Sequence, residues 1–179
     1  MKNKAYNPNW KKKFDGVGKT ISEEIMRDCF GAEHICDNAK EDRGDFSDGF
    51  WDQAYSWNGQ TLIVEPEIKV GVNGSYFGDH WKSRNEWRWP FKWPTVDIPY
   101  RKVKNKSNLH LVIGDCKKFA ALVTRKSMDD CIEQNGGNPY IKVTKQEPEG
   151  APYYCVPLGR CRFVKKLSTG KWIFTGRKR

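Results

Sequence analysis

The sequence predicts a mixed α/β fold, a central β-sheet flanked by helices and closed in one domain. Three features carry that expectation: one early amphipathic helix, a hairpin marked by Asn58-Gly59, and short apolar stretches after residue 95 separated by Gly and Pro. A chain of 179 residues suits one core rather than two, so residues 1–179 form a single domain.

Thr20-Ile21-Ser22-Glu23 has the pattern of a capping box, in which a hydroxyl and a carboxylate satisfy free amides at a helix start. Ile21, Ile25, Met26, Cys29 and Phe30 then recur at helical spacing, and Gly31 can close the turn. A first helix is expected over 21–30. Residues 37–49 are polar and rich in turn formers, which reads as a loop. Strands over Trp51–Trp57 and Gln60–Val70 flank Asn58-Gly59, the dipeptide that favours a type I′ turn. Residues 71–95 lack periodicity and form a long Trp-rich, basic excursion. Strands follow at 96–98, 109–114 and 119–124, then a short helix capped by Ser127 and Asp130 and running to 134. Strands near 140–144, 153–156, 161–165 and 171–175 complete the sheet.

Charge is unevenly spread. The formal net charge is +10, yet residues 14–52 hold four basic residues against eleven acids. Residues 68–106 hold nine basic against three acidic, and 150–179 hold eight against none. Basic regions of this kind suit a polyanion such as nucleic acid, with affinity falling as salt rises. The acidic segment supplies carboxylates that a cation could bridge to that polyanion. No apolar run reaches the length of a membrane span, and the N-terminus lacks an apolar signal core. Six cysteines without a CxxC pair read as reduced thiols of a cytoplasmic protein. His34, His80 and His110 have no metal-ligand spacing, and the chain has no GxSxG, P-loop or Rossmann glycine pattern.

The hairpin makes a geometric statement. A two-residue loop at 58–59 pairs Trp57 with Gln60 and puts Asp52 opposite Glu65. Side chains alternate, so Glu65, Glu67 and Lys69 share one face while Val64, Pro66, Ile68 and Val70 share the other. Asp52 points to the acidic side. Clustered carboxylates repel unless a cation neutralises them, and hard oxygen donors suit Mg²⁺ or Mn²⁺. Asp52, Glu67 and the carbonyl of Ile68 are the candidate ligands, with Glu65 as an additional ligand or a neighbour of one. Lys69 is placed to orient a water or to stabilise charge on a phosphate. Asp45 and Asp48 are rival first carboxylates, but they fall in the loop.

Asp52, followed by Glu67-Ile68-Lys69, resembles the PD-(D/E)xK motif of the restriction-endonuclease-like nucleases. Gly49-Phe50-Trp51 stands before Asp52, so the Pro of the nominal motif is absent. The resemblance covers roughly residues 17–135 and implies a Mg²⁺-dependent phosphodiester hydrolase on a mixed central sheet flanked by helices. It further implies that Asp52 and Glu67 bind metal, that Lys69 orients water or stabilises charge, and that a helix carboxylate, Glu23 or Glu24, stands near the ion.

Trp81, Trp87, Trp89 and Trp93 interleave with Lys82, Arg84, Arg88 and Lys92 in the excursion. Such cations take phosphates while indoles stack on bases; alternatively the indoles fold inward as a small satellite core. Arg101, Lys102, Lys104 and Lys106 add a phosphate-tracking run. The leading expectation is an endonuclease acting on DNA, with a second copy of the chain as a candidate partner. The alternatives are a non-enzymatic nucleic-acid-binding protein on the same fold, and a protein-interaction module using the Trp-rich excursion.

Overall fold

Helix α1 runs from Pro8 to Ile25, and proline suits a helix start because its missing N–H would be unpaired there anyway. The helix thus begins well before the expected cap. Thr20 is mid-helix, its Oγ1 donating to the Gly16 carbonyl at 3.1 Å. At Gly18 the helix rides close on the sheet: a Cβ there would lie 3.6 Å from Ile68 Cγ1. A π-turn over Met26–Phe30 continues α1. Gly31, with φ of 64°, closes it as expected, the Gly31 and Ala32 amides donating to the Arg27 and Met26 carbonyls.

The computed structural model describes residues 8–38, 52–69, 95–99, 107–114, 117–134, 136–137, 141–143 and 152–175. Its strands are β1 (Glu33–Asp37), β2 (Gln53–Trp57), β3 (Gln60–Lys69), β4 (Thr95–Pro99), β5 (Leu109–Gly114) and β6 (Phe119–Thr124). Helix α2 (Arg125–Gln134) follows, then β7 (Ile141–Val143), β8 (Pro152–Pro157), β9 (Arg162–Lys166) and β10 (Trp172–Phe174). The cap of α2 lies earlier than Ser127, since Thr124 Oγ1 accepts the Ser127 N–H at 3.0 Å.

Two sheets form, where the sequence suggested one. The larger has the order β1-β2-β3-β5-β6-β9-β10, and the smaller β4-β8-β7. The larger sheet is mostly antiparallel, with β3 and β5 parallel to each other. The architecture is mixed α/β as expected, with few helices among the described residues.

Each face of the larger sheet covers its own core. Towards α1 lie Ile21, Ile25, Met26, Tyr55, Val64, Leu109, Leu111, Ile113, Leu122 and Trp172. On the other face Val112, Ala121 and Val123 meet Val96 and Ile98 of β4, Tyr154 and Val156 of β8, and Met128 of α2. All six residues of β5 are buried, which explains its nearly unbroken apolar sequence. No described helix is long and apolar enough to cross a membrane.

Candidate functional site

The hairpin forms in the expected register. Asn58 and Gly59 both have positive φ, 49° and 74°, as a type I′ turn requires. Trp57 pairs with Gln60, Tyr55 with Leu62 and Gln53 with Val64, so Asp52 stands one step beyond the ladder on the side of Glu65. The Asp52 carbonyl accepts the Asn38 N–H at 3.1 Å, which ties this end of the hairpin to β1.

Alternation then sorts β3. Val64 and Ile68 join the core beneath α1, and Pro66 lies under Gly18. Glu65 and Glu67 take the opposite face, where Glu65 is 2% exposed, Asp52 is 8% exposed and Glu67 is half-buried. Lys69 ends the strand, paired with Gly114, two positions after Glu67. Because the Ile68 side chain packs in the α1 core, its backbone carbonyl is what it can offer an ion.

Strand β5 adds a residue to this face. The parallel ladder pairs Glu65 with His110, which is 2% exposed and whose Nε2 lies 3.1 Å from the buried Ser107 Oγ. Asp52, Glu65, Glu67 and His110 all have interacting neighbours. Buried charge at the margin of an apolar layer is costly unless neutralised, so this face favours a cation or hydrogen-bonding partners. The donor chemistry fits Mg²⁺ or Mn²⁺, since Mg²⁺ is commonly held by one or two carboxylates and completed by water and phosphate. Asp52 and Glu67 supply that number.

The helix carboxylates lie elsewhere. Both project from α1, on the face of the sheet opposite Glu65 and Glu67. Glu24 Oε2 accepts Lys166 Nζ at 2.6 Å and Trp172 Nε1 at 2.9 Å. Burial opposes ionisation of Glu24, but those bonds and the lysine charge outweigh it and hold the carboxyl below the usual range. Glu24 therefore fastens α1 to β9 and β10. Asp28 helps, its Oδ2 accepting the Trp172 N–H at 3.0 Å.

Glu23 joins His34 and Asp37 of β1. One ligand atom from each lies within 4.8 Å of the other two, the group of three such side chains that closes to that distance among the described residues. His34 Nε2 is 2.8 Å from Asp37 Oδ1, and Lys19 Nζ is 3.6 Å from Asp37 Oδ2. Gln53, fully buried, donates from Nε2 to Asp37 Oδ1 at 3.1 Å and to Glu23 Oε1 at 3.4 Å. Its own Oε1 accepts the Tyr55 hydroxyl at 2.9 Å, and that hydroxyl lies 3.0 Å from Ser22 Oγ. Burial, with Glu23 and Asp37 nearby, pushes the Tyr55 hydroxyl pKa up despite the Ser22 bond, so it remains a donor. Asp37 is held low because bonds from Gln53 and His34 and the charge of Lys19 outweigh its burial.

Sequence spacing did not reveal this trio. His34 and Asp37 are three apart, which in a regular strand puts them on opposite faces. A register shift between His34 and Cys36 inserts one extra residue, so His34 pairs with Tyr55 and Asp37 with Gln53 on the same face. His110 was equally invisible, because parallel neighbours are fixed by a crossover and not by a local turn. Lys82, Arg84, Trp87, Arg88, Lys92, Arg101, Lys102 and Lys104 lie outside the described residues. Comparison with protein-family models, curated proteins and solved structures returns no match.

Proposed function

We propose that the protein is a metal-dependent endonuclease acting on DNA, of the PD-(D/E)xK type. The observation that carries this reading is the hairpin register, with Asp52 one step beyond the Gln53–Val64 pair at the head of β2, and Glu65, Glu67 and Lys69 at alternate positions of β3. The buried state of Asp52 and Glu65 adds weight, since a surface charge pattern has no need to be sheltered. The net charge of +10 favours a polyanionic substrate.

Asp52 and Glu67 hold the ion, with the Ile68 carbonyl as a further oxygen donor. A bound Mg²⁺ or Mn²⁺ supplies Lewis acidity towards a phosphodiester and acidifies water. Lys69 orients the attacking water or stabilises the charge that grows on the phosphate oxygens. Glu65 and His110, side by side on the same face, line the inner wall of the site. The basic stretch that follows β3 in the sequence supplies contacts to the DNA backbone, which set register without reading bases.

The test is a cleavage screen over duplex, branched and single-stranded DNA with Mg²⁺ or Mn²⁺. Metal-dependent products are expected from at least one form. Salt-sensitive DNA binding without cleavage of any form would instead identify a DNA-binding protein that does not cut. No DNA binding at low salt would favour a protein-interaction module.

A further inference from the structure

We propose that Glu23, His34 and Asp37 form a second ion site, selective for a divalent transition metal of the Zn²⁺ class, that ties the edge strand β1 to helix α1. It lies on the face of the sheet opposite Glu65 and Glu67 and does not depend on the role of the Asp52–Glu67 pair.

The donor set is one imidazole nitrogen and two carboxylates, with the ligand atoms within 4.8 Å of one another. Ligands bonded at about 2.0–2.2 Å to a tetrahedral ion stand roughly 3.4 Å apart. The present separations, from 2.8 Å between His34 and Asp37 up to the 4.8 Å limit, bracket that value. Small side-chain shifts suffice to admit an ion. His34 and Asp37 are exposed, so an ion can enter from solvent and water can complete its coordination.

Two further features point to a site rather than a chance grouping. The extra residue at Ile35 turns His34 and Asp37 to the same face, beside Glu23. Behind them, the fully buried Gln53 aims its amide at both carboxylates and is itself fixed by Tyr55. Outer hydrogen bonds of this kind orient carboxylates for a metal. Charge agrees as well. Lys19 reaches the Asp37 oxygen away from His34 and offsets one of the two negative charges, so a dication is still attracted. The imidazole favours Zn²⁺ over Mg²⁺, whose preferred donors are oxygens.

Zn²⁺ titration of the full chain by calorimetry, with Co²⁺ absorption as a second readout, tests this. Any separate uptake that disappears in Glu67→Ala belongs to the Asp52–Glu67 face; the ion held by Glu23, His34 and Asp37 should give a Co²⁺ spectrum free of thiolate charge transfer. His34→Ala and Asp37→Asn should each weaken it at least about tenfold, while Cys36→Ser and Glu67→Ala leave it unchanged. Folding of each variant is checked by its metal-free melting curve. Loss of this ion with Cys36→Ser or Glu67→Ala, or unchanged binding with folded His34→Ala, would overturn the proposal. So would the absence of any Zn²⁺ uptake by the wild type.

Discussion

Carboxylates near an apolar layer stay ionised only when something offsets their burial, and Asp37 and Glu24 do so in different ways. Asp37 gathers Gln53, His34 and Lys19; Glu24 gathers Lys166 and Trp172. Both fold with a pKa below the ordinary values of 3.8 and 4.5. A depressed folded value stabilises the protein above the unfolded pKa, and that stability is lost as pH falls through the folded one. Melting temperature should therefore drop as pH falls below about 4.5, and Glu24→Gln should flatten that acid limb. Melts recorded between about pH 6 and pH 3 read this directly. Cysteines make a separate test. Burial pushes the Cys161 thiol up to about 12, and its Sγ donates to the Pro157 carbonyl, whereas Cys36 is exposed. Alkylation of the native protein should label Cys36 while sparing Cys155 and Cys161, as mass mapping would show.

Among the elements, the β2–β3 hairpin fixes the carboxylate face, because a one-residue slip would move every side chain to the other side. Its turn depends on Gly59, whose φ of 74° is unfavourable for any residue with a Cβ. Gly59→Val should cost about 1–2 kcal/mol, read as a lower urea midpoint at unchanged slope. Strand β1 makes the complementary point. Deleting Ile35 should remove the bulge yet leave His34 and Asp37 two apart on one face of a regular strand, so Zn²⁺ uptake should survive along with the melting transition. The hairpin was legible in the sequence because its turn type, its register and its alternation are all local. The ends of β5 and β6 were legible too, since polar and Gly residues bracket their apolar runs. The start of α1 was not. Gly18 sits inside the helix where it rides close on Ile68, a tertiary contact that no local pattern announces. Strand β1, exposed along its whole length, offers no alternation to read.

At the scale of the molecule, the larger sheet carries a core on each face, with Glu24 and Trp172 on the α1 side and Glu65 and Glu67 on the other. Trp172, fully buried beneath α1, donates from Nε1 to Glu24. Trp172→Ala should destabilise the fold by about 3–5 kcal/mol in urea unfolding, whereas Glu67→Ala should fold with a stable melting transition. The uneven charge should show as DNA affinity that falls steeply with salt, even in variants that cannot cut. The placement of Glu65, Glu67 and Lys69 at alternate positions of one strand could be read from the sequence, because β3 carries all three. The pairing of Glu65 with His110 needed the parallel β3–β5 crossover, which no local pattern announces.

The most direct test of the account is Mn²⁺-dependent DNA cleavage measured beside DNA binding for the wild type, Glu67→Ala and Lys69→Ala. The prediction is metal-dependent cleavage by the wild type, and cleavage reduced at least about a hundredfold in each variant with binding retained. Cleavage that survives both substitutions at wild-type rate would contradict it.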